Sequence, residues 1–471
     1  MSWRAWRPAS TFRELTVFPD ASIGDPAPWA TTGLLAILFL VVVAVLLALA
    51  DADCYRLGGA CFASMDRYYG SSVALGLLEH GRLVTLANPD QPYTDHPPIY
   101  GFTMAAVIAT FGTATMVPMA VVNALLILAA GLLLRRFAVH YAPGTGNLAL
   151  ALLLFNPNVL GQGLLPQTEA MHMAAVAAGM TATAAAVAHS NVRRGAVAGA
   201  LLGLSALVRP ASLILGFILP LVIPVAALAR FGRRNLGLAF AAGVAGAVAC
   251  TVVVTPWAMH QYRSGEGWRI SSNAIEDLLL VIGVMYLDPA RPGEVNGDIA
   301  EELTVERDAA LRARYPQWDE MTAAEQGNAN RDYVVDHYLA VAAEQPGVMA
   351  TAVAKSWARF LFVGGEGALH DLFGVAGSDG QIAVGIKVVA LLFVAASRAL
   401  AVIGIVWLMR ARRWDALLLC GGLVLWFMAS SALIGQPRYR MPAEPALMLC
   451  AAVGLAQVTD WFRRRRRQAI S

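Results

Sequence analysis

Charge is scarce in this sequence. Only 14% of its 471 residues are Asp, Glu, Lys or Arg, where a soluble chain carries roughly 25%. With 58% hydrophobic residues and a mean hydropathy of +0.57, that excludes an ordinary soluble protein. There is no nucleotide-binding motif, no internal repeat, no low-complexity segment and no second independent domain. A cleavable signal pattern is lacking too. Arg4, Arg7 and Arg13 precede the apolar run Thr32 to Ala50, but that run is long enough to span a bilayer. It reads as an uncleaved first helix with a cytoplasmic N-terminus. The net charge of +3 points to no nucleic-acid partner, because the basic residues cluster at segment ends, where they set topology. The five arginines at 463–467 follow an apolar segment and read as a cytoplasmic anchor.

What is present is a series of apolar runs, several reaching the ~20 residues that a membrane crossing needs. They lie near 32–51, 116–134, 146–162, 170–188, 195–208, 211–229, 236–256, 382–409, 415–434 and 445–461. The expected fold is therefore an all-α polytopic membrane protein with about ten transmembrane helices and both termini cytoplasmic. Arg135-Arg136, Arg193-Arg194, Arg230 to Arg234, Arg410 to Arg413 and Arg463 to Arg467 then all fall inside, as the positive-inside rule asks. Segment 99–113 is short for a span and reads as an interfacial or re-entrant helix.

Three units are expected. Residues 1–257 form an N-terminal transmembrane module with a first external loop at 51–115. Residues 258–381 form an external, mainly helical region, and 382–471 supply the last helices and a basic tail. In the first loop, 66–83 has the spacing of a helix lying along the membrane surface. In the second region, 298–345 reads as helical and soluble, with breaks at Pro316 and Pro346, and 347–363 reads as amphipathic. Cys250, Cys420 and Cys450 sit in apolar runs and read as small hydrophobes. Cys54 and Cys61 share the first loop and form either a disulfide, should that loop face an oxidising compartment, or two free thiols.

The polar residues that could carry chemistry fall on one face under this topology. Asp66 and Glu169 adjoin apolar sequence, where a carboxylate can act as general base. The plainer alternatives are a helix cap for Asp66 and first-turn dipole stabilisation for Glu169. Glu169 and His172, three apart, share a helix face and are candidate ligands for a divalent metal. Arg209 in LVRPAS and Arg438 and Arg440 in GQPRYRMPAEP suit phosphate, because a guanidinium matches its oxygens bidentately; snorkelling to the interface is the alternative. Arg398 is mid-span, a costly place for a charge, and fits either a lipid phosphate or a structural pair.

Taken together, Asp66-Arg67-Tyr68-Tyr69, LLEHG (77–81), NPD (88–90) and DHPPIYGF (95–102) resemble the first external loop of GT-C glycosyltransferases. The branch is the bacterial one related to protein O-mannosyltransferases and the lipid A aminoarabinose transferase. The resemblance continues through GLLPQTEAMHMA (163–174), LVRPASL (207–213), TPWAMHQYRSGEGWRISSN (255–273) and QPRYRMPAEPALML (436–449). It implies an inverting transferase of the bacterial inner membrane that takes a sugar from a polyprenyl-phosphate donor. The acceptor would be a lipid, glycan or protein on the non-cytoplasmic face. Asp66 matches the first-loop catalytic acid and Glu169 the second acid. Asp95-His96 matches the pair shaping the donor site, and Arg209, Arg438, Tyr439 and Arg440 fall where the carrier phosphate is bound. Arg67 stands where many relatives have Glu. Two other readings stay open: a transporter or flippase of a lipid-linked saccharide, and an inactive structural subunit of an envelope-assembly complex.

Overall fold

A computed structural model describes residues 29–56, 65–86, 88–271, 297–376, 380–431 and 435–470. Among them the backbone is almost entirely helical and contains no β-strand, the all-α class that the apolar runs predict. Arg4, Arg7, Arg13, Cys61 and the stretch 272–296 lie outside the described residues. Cys54 is disulfide-bonded, and Cys250, Cys420 and Cys450 are buried free thiols.

Among the described residues six helices are long and apolar enough to cross a membrane: Trp29–Leu49, Val117–Tyr141, Glu169–His189, Leu236–Arg263, Gln381–Arg410 and the stretch Pro437–Ala469. Pro210–Phe217 and Leu219–Phe231 count as a seventh only as one span bent by 57°. The expected count of about ten is not reached by length and composition, for a local reason at each remaining run. Run 146–162 divides into Gly146–Leu154 and Pro157–Leu164, because Asn156 caps the second piece by accepting from the Asn158 amide, and Pro157 favours a helix start there. Run 195–208 becomes the 15-residue helix Val192–Ala206, and run 415–434 the 17-residue helix Trp414–Ser430. At 1.5 Å per residue both are about 22–26 Å long, short of the ~30 Å apolar core.

Arg135 is held inside the protein. Expected at the end of a run, it lies inside the Val117–Tyr141 helix and is buried. Its Nε donates to Asn147 Oδ1 at 2.8 Å and its guanidinium sits 4.5 Å from the Trp29 ring.

The segments outside the long helices follow the sequence pattern closely. Met65–His80 is a helix, and Ile99–Phe111 is a short one that starts after Pro98 and ends at Gly112, whose φ of 80° needs no Cβ. In the second region, Gly297–Arg314, Ala323–Glu344 and Pro346–Phe362 are helices separated around Pro316 and Pro346.

Small residues set the closest helix approaches. A Cβ built on Gly199 would come within 1.7 Å of the Gly246 carbonyl oxygen, and one on Gly404 within 1.9 Å of the Cys450 carbonyl oxygen. The helix pairs Val192–Ala206 with Leu236–Arg263, and Gln381–Arg410 with Glu444–Ile470, therefore pack backbone to backbone, as glycine-lined membrane helices do. Outward faces remain apolar: Leu34, Ile382 and Leu392 are each about two-thirds exposed, which suits contact with lipid.

Candidate active site

The first loop, the start of the Glu169–His189 helix, the turn at 208–211 and the turn at 437–442 meet around a cavity of 390 Å³. Each arrives by a local device. Thr168 precedes the first helical residue, Glu169. Arg209 has an extended backbone because Pro210 follows it. Gln436 is extended ahead of Pro437 in the same way, so that Pro437–Arg440 makes one turn beside the cavity.

Arg209, Arg438, Tyr439 and His172 all line this space. Both arginines approach the Tyr439 ring, with Arg209 5.1 Å and Arg438 4.9 Å from its centre. Arg438 Nη2 also donates to Tyr439 Oη at 3.0 Å. The Glu169 carboxylate is fully buried and ion-paired to Arg209 Nη1. That fixes a guanidinium which would otherwise lose about 2 kcal/mol of rotamer freedom on binding a ligand. His172 is buried behind it, hydrogen-bonded through Nε2 to Ser212 Oγ at 2.7 Å and edge-on to the Phe427 ring. Geometry thus gives Glu169 a holding role toward Arg209, while Arg209 and Arg438 carry the positive charge of the cavity.

His96, Pro97 and Pro98 of the Asp95-His96-Pro97-Pro98 turn also line the cavity. Three side chains from 260–271 hold the backbone of this turn. His260 Nε2 donates to the Tyr93 carbonyl at 3.1 Å, Gln261 Nε2 to the Thr94 carbonyl at 2.8 Å, and Ser271 Oγ to the Asp95 carbonyl at 2.5 Å. Beside Asp95 lies Glu266, buried and ion-paired to Arg269 at 3.3 Å. Burial raises the Glu266 pKa above the ordinary carboxyl value, Arg269 opposes that rise, and Asp95 adds to it.

Arg440 is placed differently from the expectation that it faces a phosphate. It is fully buried, donates through Nε to Glu444 Oε1 at 2.5 Å and through Nη1 to the Phe360 and Val363 carbonyls, and does not line the cavity. Arg398 joins the same carboxylate, Nη2 to Glu444 Oε1 at 3.2 Å, which makes it a structural partner. The cluster pins the turn whose outer residues are Arg438 and Tyr439.

The metal expectation meets occupied donors. Glu169 is bonded to Arg209 and His172 Nε2 to Ser212, and among the described residues no three His, Cys, Asp or Glu side chains gather into a ligand set. Asp66 stands in the first turn of Met65–His80, and its side chain lies outside the described residues. Gly70, one helical turn later, lines the cavity.

Ser430, Ser431 and Phe427 also line the cavity and were missed, because they end an apolar run that carries no polar pattern. Glu266 and Glu444 were missed as well. Their only signals, an acid in GEGW and an acid opening the last run, look like ordinary loop and cap positions.

No family model and no curated protein matches the sequence. Among solved structures the chain is similar to the oligosaccharyltransferase of Archaeoglobus fulgidus in the apo form, at 15% identity and a TM-score of 0.50. That match covers 93% of this chain and 52% of the other, so the chain spans about half the length of that protein. It is also similar to ArnT from Cupriavidus metallidurans bound to undecaprenyl phosphate (14% identity, TM-score 0.39, 89% of this chain and 77% of that one). The apo state of ArnT matches at 15% identity and a TM-score of 0.37, over 90% of this chain and 78% of that one. The chain therefore shares its fold with the archaeal oligosaccharyltransferase.

Proposed function

We propose that this protein is an integral-membrane glycosyltransferase that moves a sugar from a polyprenyl-phosphate donor to a lipid, glycan or protein acceptor. The observation that carries this reading is the pair of arginines, 209 and 438, both against the Tyr439 ring in one cavity. Two guanidinium groups on an aromatic platform form a phosphate cradle, and the ring offers a sugar or prenyl unit an apolar surface.

In the reaction, the acceptor oxygen bonds to the anomeric carbon as the bond from that carbon to the carrier phosphate breaks. The electron pair leaves with the phosphate, whose developing charge Arg209 and Arg438 balance. The acceptor proton passes to Asp66, the carboxylate one turn before cavity-lining Gly70. Asp95 and His96 shape the donor side, and Glu169 positions Arg209. The cavity faces the non-cytoplasmic side of a bacterial inner membrane in this reading, with both termini and the arginine-rich helix ends in the cytoplasm. Residues 1–257 and 382–471 build the membrane module, and 258–381 lie outside it against the acceptor.

The test is sugar transfer in membranes supplied with a panel of radiolabelled polyprenyl-phosphate sugars, using wild type and Asp66→Asn. Label passing to a new product with wild type alone supports both the activity and the base. Transfer by both proteins keeps the activity and removes Asp66 from the chemical step. No transfer from any donor by folded protein sinks the proposal in favour of a transporter or a structural subunit.

A further inference from the structure

Beyond the end of helix Leu236–Arg263, residues 264–271 form a short strap. Gly265 and Gly267, with φ of 87° and 76°, take left-handed conformations in which a side chain would be strained, and they turn the chain back on itself. Trp257 fixes the return, its Nε1 donating to the Ile270 carbonyl at 2.9 Å in a buried contact. Ile270 then shares one small apolar cluster with Trp257, Val73 and Tyr93. The strap ends at Ser271, which holds the Asp95 carbonyl and lines the candidate active-site cavity.

Arg269 connects this strap outward. Its Nη1 is ion-paired to buried Glu266 at 3.3 Å, and its Nη2 donates to Asn328 Oδ1 at 2.5 Å. Asn328 belongs to Ala323–Glu344, a helix of the second external region. A planar guanidinium can serve both partners in one fixed geometry, which an ammonium cannot do. The position also needs a cation. Glu266 has Asp95 as a neighbouring acid, and Arg269, with Arg331 of the same external helix, supplies the opposing positive charge. The connection therefore runs from the external helix through Asn328 and Arg269 to the strap, and through Ser271 to the turn that carries Asp95 and His96.

We propose that Arg269 is a positioning residue: its bond to Asn328 latches the external helix to the strap and so fixes the Asp95-His96 turn at the cavity. The catalytic consequence rests on the transferase reading. There, 258–381 lies against the acceptor while Asp95 and His96 shape the donor side, so the latch joins the acceptor side to the donor side.

The experiment uses the full chain purified in nonionic detergent and follows amide hydrogen exchange by mass spectrometry, with no substrate present. The Tyr93 and Ile99 amides donate to the Leu83 carbonyl at 2.9 Å and the Leu207 carbonyl at 3.3 Å, so they report opening at the two ends of the turn. Asn328→Ala should speed exchange in peptides spanning 92–99 about tenfold, the factor that one hydrogen bond to a charged group carries. Peptides from Val117–Tyr141 should not change. Asn328→Asp, which keeps an acceptor oxygen, should restore wild-type exchange. In an Arg269→Gln background Asn328→Ala should add little, because both changes remove the same bond. Arg312→Gln removes a different arginine pair of the external region, the exposed one with Asp319 at 2.8 Å, and should leave 92–99 unchanged. Wild-type exchange in Asn328→Ala, additive effects with Arg269→Gln, or the same acceleration in Arg312→Gln would overturn the latch. With a radiolabelled donor that wild type uses, Asn328→Ala should also raise the donor KM about tenfold with kcat little changed, and an unchanged KM would overturn the role in donor positioning. Wild type inactive with every donor would sink the transferase reading instead, and the exchange result would still decide the latch.

Discussion

Replacing Glu444 by Gln tests the structure where charge is most deeply enclosed. Glu444 is fully buried and takes Arg440 Nε at 2.5 Å and Arg398 Nη2 at 3.2 Å. Two guanidinium groups share one carboxylate; Arg398 also donates to the Leu361 carbonyl and Ser397 Oγ, and Arg440 to the Phe360 and Val363 carbonyls. Gln keeps an acceptor oxygen but leaves two buried cations without a counter-charge. Breaking one buried pair costs about 3–5 kcal/mol, and with two cations affected we expect the upper part of that range. Arg398→Met is the informative contrast. It leaves Arg440 and Glu444 as a neutral one-to-one pair and forfeits a charged hydrogen bond worth about 1.5–3 kcal/mol. Reversible unfolding in mixed micelles, titrated with SDS and followed by the fluorescence of the 11 tryptophans, measures both. An Arg398→Met loss equal to or larger than that of Glu444→Gln would refute the assignment of Glu444 as the hub. Since Arg440 ends the turn that presents Arg438 and Tyr439, Glu444→Gln should also weaken donor binding.

Two further outcomes are expected. Glu169→Gln frees Arg209 from its ion pair, so the donor KM should rise about tenfold, the size of one charged hydrogen bond, with kcat little changed; a fall in kcat at constant KM would instead put Glu169 in the chemical step. Glu266 has its pKa raised by burial from the ordinary 4.5, so its contribution to stability is complete below that value. The contribution is lost as pH climbs through the higher folded-state pKa. Unfolding curves between pH 4 and pH 7 should show this decline in wild type and not in Glu266→Gln, and an identical decline in both would exclude Glu266 as its source.

Helix positions were legible in the sequence because lipid-facing helices must be apolar along their length and because proline breaks act locally. The breaks at Pro316 and Pro346 and the short helix at 99–111 follow from a few neighbouring residues each. Apolarity alone does not locate helix breaks. Run 146–162 looks continuous until Asn156 and Pro157 start a new helix within it, and 15-residue and 17-residue helices look the same as longer ones in composition.

The chemical types at the candidate site were likewise readable: acids, arginines and a tyrosine framed by prolines. Which of them face one another was not. Arg438 and Arg440 are equivalent as sequence, two apart in one motif. Only the packed structure sends Arg440 into the bundle to meet Glu444 and leaves Arg438 on Tyr439 beside the cavity. Likewise Glu169 and Arg209, forty residues apart, become a pair only when a helix start and the turn at 208–211 converge. Sequence determined the helices, because hydrophobicity and turn chemistry act over short stretches of chain. Tertiary structure decided the partners, because a buried charge must find its counter-charge wherever packing places it.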